Sequence, residues 1–86
     1  MSLKDQVVVV TGASRGIGRA IANRAAAEGA RLVLCARSPE PLKEAARELS
    51  KSADVLAVPA DVSRESEVER LRDEAMARFG RVDAVV

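Results

Sequence analysis

An open α/β fold, a parallel sheet with helices on both of its faces, is predicted by three observations. Short apolar runs of strand length stand at Val7–Thr11, Arg31–Ala36, Val55–Pro59 and Val82–Val86. Each gap between them has room for one helix and carries apolar residues at helical spacing. Glycines occur where a strand must turn into a helix and where helices must stop. The rhythm is βαβαβαβ. Parallel strands need crossovers of this length, and such crossovers are right-handed, so the expected strand order is 3-2-1-4.

The first strand is a run of β-branched residues, Val7 to Val10, and a loop with Gly12, Gly16 and Gly18 follows it. Ile17, Ala20, Ile21 and Ala25 put an apolar stripe on the first helix, and Gly29 sits where a C-terminal cap would end it. The second helix has Ser38 as N-cap and Pro39 at its first position, with Leu42, Ala45, Ala46 and Leu49 facing inward. Ser63 is expected to cap the third helix, Glu65 and Glu67 to complement the dipole in its first turn, and Gly80 to follow its end. Its inward face reads Val68, Leu71, Ala75 and Phe79. The fourth strand is apolar at Val82, Val85 and Val86, with no cap or turn after it, and in this order it forms an uncovered sheet edge. The expectation is a truncated domain whose edge attracts a complementary piece or another copy.

Composition bounds the function. The chain has 86 residues, 48% hydrophobic and 31% charged, with net charge +1. This describes one small globular unit, neither disordered nor membrane-spanning. Chains this short bury only about 60% of their unfolded surface, so marginal stability is expected. The balanced charge and the single aromatic residue, Phe79, argue against a nucleic-acid partner. Cys35 is the only cysteine and histidine is absent, which excludes an internal disulfide, a Cys/His zinc site and a Cys–His nucleophile. Cys35 reads as a packed strand residue, and no metal is expected. The polar N-terminus MSLKDQ reaches the first strand at once, so neither a signal sequence nor a membrane anchor is expected and the default location is cytoplasmic.

The chemistry is concentrated in the glycine loop. Gly12 would let the chain reverse where a Cβ would clash, Gly16 would let backbone approach a pyrophosphate, and Gly18 would let the helix pack closely on the strand. The first helix then presents unbonded N–H groups and a partial positive charge to an anion. In the 3-2-1-4 order the winding reverses between strands 1 and 4, and open α/β sheets bind ligands at that switch point. The glycines fall as Gly-x-x-x-Gly-x-Gly, with no Gly-Lys-Ser/Thr after them, which weakens any ATPase reading. The segment Thr11-Gly12-Ala13-Ser14-Arg15-Gly16-Ile17-Gly18 resembles the cofactor loop of the short-chain dehydrogenase/reductase family.

That resemblance implies a Rossmann-type, NAD(P)-binding fold, with cofactor contacts at Gly12, Ser14, Arg15, Gly16, Ile17 and Gly18. A dinucleotide site usually has a carboxylate at the end of strand 2 for the adenosine ribose. Here the position reads Ala36-Arg37-Ser38. A guanidinium there, with Arg15 in the loop, attracts a 2′-phosphate and favours NADP over NAD; alternatively both arginines only solvate their loops. Asp61-Val62 matches the family's adenine contact, in which the carboxylate accepts from the amino group and the next backbone unit meets the ring edge. Asp61 could equally be a turn residue ahead of the third helix. Relatives carry a catalytic Ser and a Tyr-x-x-x-Lys pair much further on. In that mechanism Tyr moves the proton, Lys lowers the Tyr pKa and Ser orients the carbonyl. None of this lies within the chain, which has no Tyr at all. The implied whole protein is an oxidoreductase, and a homo-oligomer, moving a hydride between NADP(H) and an alcohol or carbonyl; this chain is its cofactor half. The alternatives are a non-catalytic dinucleotide module or sensor and, more distantly, another nucleotide or S-adenosylmethionine site.

Overall fold

In the computed structural model, which describes residues 2–86, the elements run β1 (Val7–Thr11), α1 (Gly16–Ala27), β2 (Arg31–Ala36), α2 (Pro39–Leu49), β3 (Val55–Pro59), α3 (Glu65–Phe79) and β4 (Ala84–Val85). The sheet order is β3-β2-β1-β4 with every pair parallel, so the predicted fold and topology are those observed. Val9 stands beside Val33 on one side and Val85 on the other, and Leu34 stands beside Ala57.

Two cores, one on each face, follow from the period of two along the strands. Val8, Val10, Leu32, Leu34 and Ala36 point to the face covered by α1 and α2, where Ala22, Ala25, Leu42 and Leu49 meet them. Val7, Val9, Val33, Cys35 and Val58 point to the opposite face, where α3 packs through Leu71 and Ala75 and Val82 adds to the edge. Because β1 and β2 are central and covered on both sides, their residues from Val7 to Val10 and from Leu32 to Ala36 are all buried.

The helix faces differ from expectation in instructive places. The α1 stripe is Ala22, Ala25 and Ala26 with Ile21 partly buried, whereas Ile17 is 80% exposed and Ala20 is also in water. Small residues are the ones that let α1 lie close to β1 and β2, so the helix turns its alanines inward and leaves Ile17 at the open end. On α3, Leu71 and Ala75 are buried and Phe79 is partly so, but Val68 is exposed because α3 covers only part of its sheet face. Gly29 follows α1 at φ 92° and Gly80 ends α3 in the left-handed conformation, as their positions predict.

Strand β4 is shorter than the run Val82–Val86. In register, the Val7 N–H would meet the Val82 carbonyl, but the Asp83 carboxylate takes it instead, at 2.7 Å, and the strand starts only at Ala84. Toward the other end, Thr11 donates both its N–H and its hydroxyl to the Val86 carbonyl, each at 2.9 Å. Val85 and Val86 are 68% and 49% exposed on this edge, and an apolar groove of about 540 Å³ runs beside it between β4 and α3.

Asp83 also forms a two-point pair with Arg81. The Arg81 bond, followed by the Val7 N–H, holds its carboxyl below the ordinary carboxylate range, with partial burial opposing both. A carboxyl depressed in the folded state adds stability above its unfolded pKa of about 3.9 and loses it as pH falls through the lower folded value. Thermal melts between pH 6 and pH 2 are therefore expected to show an acid-side loss that Asp83→Asn flattens. An Asp83→Asn variant with an unaltered acid limb would mean that this carboxylate does not couple β4 to β1.

Candidate functional site

Three loops leave the carboxyl ends of β1, β2 and β3 side by side, tied by main-chain bonds. Ala13 N–H donates to the Cys35 carbonyl and Ala60 N–H to the Ala36 carbonyl, both at 3.0 Å. These bonds align the glycine loop, Arg37-Ser38 and Asp61-Val62 along one rim. α1 lies on one face of the sheet and α3 on the other, so the winding reverses between β1 and β4, the switch point of the sheet. The segments predicted to form the site are thus brought together along one rim.

The glycines do their work differently from each other. Gly12 and Gly16 both have φ of 62°, a left-handed conformation costing other residues about 1–2 kcal/mol. The clash expected at Gly12 is not what demands glycine there, since an added Cβ would meet nothing within 4 Å; the backbone angle demands it. Gly18 is the steric position: a Cβ there would lie 2.1 Å from the Gly12 carbonyl oxygen and 3.1 Å from that of Thr11. Close packing of α1 onto the loop holds the helix N-terminus at the rim. The first helical bond runs from Arg19 N–H to the Arg15 carbonyl at 3.4 Å, so the N–H groups of Gly16, Ile17 and Gly18 precede the ladder.

Arg15 occupies the N-cap position of α1 with extended backbone, and Arg37 stands exposed directly after β2. Among the described residues these are the two arginines whose guanidiniums have no hydrogen bond or ion pair. Arg19 by contrast pairs with Glu48 at 2.6 Å, and Arg70, Arg78 and Arg81 are paired likewise. Ser38 is the N-cap of α2 and Pro39 its first residue, as predicted, but the Ser38 hydroxyl makes no capping bond. Ser14 is half-buried, and Ile17 stands in water beside the glycines.

Asp61 is a turn residue and a rim carboxylate together. Its Oδ1 accepts the Ser63 hydroxyl at 2.6 Å and the Ser63 N–H at 3.0 Å. Those bonds, and then the charges of Arg37 and Arg64, hold its carboxyl below the ordinary range. The expected capping of α3 by Ser63 is corrected: Arg64 is the N-cap, and the Ser63 hydroxyl is committed to Asp61. Val62 is exposed beside it. Glu67 escaped the sequence reading, which took it only as a first-turn acid. Its Oε1 accepts the Asp61 N–H at 2.9 Å, and the available signal was its place at the third helical position, where a carboxylate reaches back past the helix start. Among the described residues no helix is long and apolar enough to cross a membrane.

Comparison with known proteins agrees with this geometry. Residues 6–86 match the family model described as short chain dehydrogenase. An uncharacterized oxidoreductase, YxnA, from Bacillus subtilis (strain 168) is 49% identical over 85 residues, covering 98% of this chain and 24% of the relative. L-sorbose reductase from Gluconobacter frateurii, solved with NADPH and L-sorbose, superposes with a TM-score of 0.95 at 41% identity, over 99% of this chain and 33% of that one. A short chain dehydrogenase/reductase from Burkholderia phymatum, in complex with NAD, gives a TM-score of 0.94 at 35% identity, over 99% and 31%. The chain therefore spans between a quarter and a third of the length of these relatives.

Proposed function

The chain belongs to the short-chain dehydrogenase family, and from that premise we propose that it is the N-terminal, NADP(H)-binding part of a single Rossmann-type domain, in an oxidoreductase moving a hydride between NADP(H) and an alcohol or carbonyl substrate. The observation that carries the choice of NADP is the pair of unpaired guanidiniums, Arg15 and Arg37, on adjacent loops of the rim, with no carboxylate at the end of β2 to repel a phosphate. Gly12, Gly16 and Gly18 shape the pyrophosphate cradle, with Ser14 and Ile17 beside it. Arg15, Arg37 and Ser38 receive the 2′-phosphate. Asp61 accepts the adenine amino group through Oδ2, which has no hydrogen-bond partner among the described residues, while Val62 borders the ring. Neighbours solved with NADPH and with NAD support a nicotinamide dinucleotide as the ligand class.

In this reading the proton-transferring half of the enzyme lies outside these residues. The chain contains no Tyr, so by itself it binds the cofactor without turnover. The full-length protein is read as a cytoplasmic homo-oligomer acting on a small molecule. Calorimetric titration of the chain with NADPH and with NADH tests the proposal: NADPH is expected to bind the tighter. Absence of binding by either, in a sample that circular dichroism shows to be folded, would make the glycine loop a structural turn only.

A further inference from the structure

We propose that Glu67, seconded by Arg70, is the positioning residue for the adenine end of the crevice; this rests on the reading of Asp61 as the adenine acceptor. In a capping box a carboxylate at the third helical position bonds the N-cap N–H. Glu67 is the third residue of α3, yet it reaches past the N-cap Arg64 and takes the Asp61 N–H at 2.9 Å, six residues back and partly buried. Arg70, one turn on, donates to the Pro59 carbonyl at 2.5 Å and to Glu74 at 2.8 Å, and lies 3.8 Å from Glu67. Pro59 and Asp61 flank Ala60, so the main chain on both sides of the β3 exit is gripped by side chains of one helix face.

The charge arrangement makes this grip usable. Glu67 brings a second negative group next to Asp61, and Arg64 at 3.9 Å and Arg70 at 3.8 Å offset it. On the far side Ser63 fixes Asp61 Oδ1. Main chain and carboxylate are thus both set before a ligand arrives, and Oδ2 is the acceptor left to present. Pre-setting an acceptor removes the ordering cost that binding would otherwise carry.

The test titrates the 86-residue chain and three variants with 2′,5′-ADP and, separately, with inorganic pyrophosphate, which has no adenine. Glu67→Ala and Glu67→Asp, the latter too short to reach, are expected to bind 2′,5′-ADP about fivefold more weakly, the size of one lost hydrogen bond. Pyrophosphate affinity stays within about twofold, and Glu67→Gln, whose amide oxygen still accepts an N–H, recovers most of the loss. Glu67→Asp keeps the helix-start charge, so it decides the matter should Glu67→Ala unfold. Unchanged 2′,5′-ADP affinity in Glu67→Asp, or an equal loss for both ligands, overturns the positioning role. Failure of the folded wild type to bind 2′,5′-ADP overturns the dinucleotide reading itself, and the role of Glu67 with it.

Discussion

Arg37→Ala is expected to weaken NADPH binding roughly tenfold to a hundredfold while changing NADH binding by less than about twofold. The two cofactors differ only in the 2′-phosphate, so the comparison isolates contacts to that group. Arg37 is exposed at the β2 exit and its guanidinium has no hydrogen bond or ion pair among the described residues. Binding a phosphate there breaks no existing pair, and the charge-assisted bonds add to affinity without a competing loss. The Asp61 carboxylate, which the Arg37 charge helps to hold below the ordinary range, makes no hydrogen bond or ion pair with this arginine among the described residues. Arg15→Ala should behave likewise but more weakly. The double variant should lose up to about a thousandfold, less than a simple sum in well-buried pairs, because both side chains stand in water. Titration with NADPH and NADH in parallel decides it: an unchanged NADPH affinity in the double variant would remove the NADP assignment and leave the arginines as loop-solvating groups.

Gly18→Ala is expected to be the most damaging single-methyl change in the chain, costing about 3 kcal/mol or more and abolishing dinucleotide binding. The added Cβ would fall 2.1 Å from the Gly12 carbonyl oxygen and 2.7 Å from its carbon, both backbone atoms. Neither can rotate aside as a side chain would, so the helix must lift from the loop. That displacement carries the N–H groups of the first turn away from the anion position. For a domain of this size each kcal/mol shifts the melting temperature by roughly 4–8 °C, so a drop beyond about 12 °C is expected. Gly16→Ala is the informative control: its Cβ meets nothing within 4 Å, and only the left-handed φ of 62° opposes it, at about 1–2 kcal/mol. Equal melting temperatures for the two variants would mean that close helix packing is not what Gly18 provides.

The sequence was most informative where one local rule acts without a competitor. Strand bounds at Val7–Thr11, Arg31–Ala36 and Val55–Pro59 agree with the structure because β-branched and apolar runs between turn residues leave no helical alternative. Prediction failed where two partners compete for one group. Ser63 is a good N-cap by residue type, but Asp61 lies two residues away and claims its hydroxyl, leaving the helix to begin after Arg64. Val82 belongs to an apolar run, but the Asp83 carboxylate captures the N–H that would have paired it into the strand. Ile17 fits a helical stripe, yet it stands on the first turn of α1 beyond the sheet and is 80% exposed, while Ala22, Ala25 and Ala26 take the buried positions with Ile21 partly buried beside them.

By itself the sequence determined the α/β class and the strand order, because hydrophobic period, glycine position and crossover handedness are local or general constraints. It also determined the types of group at the rim: glycines, two arginines and an aspartate. Only the tertiary structure decided which of those groups are free to act. That Arg15 and Arg37 are unpaired among the described residues while Arg19 and Arg70 are spent on Glu48 and Pro59, and that Glu67 holds the Asp61 main chain, depends on neighbours far apart in the sequence or across an irregular turn. Pairing is a property of distance in space, and no periodicity along a chain encodes it.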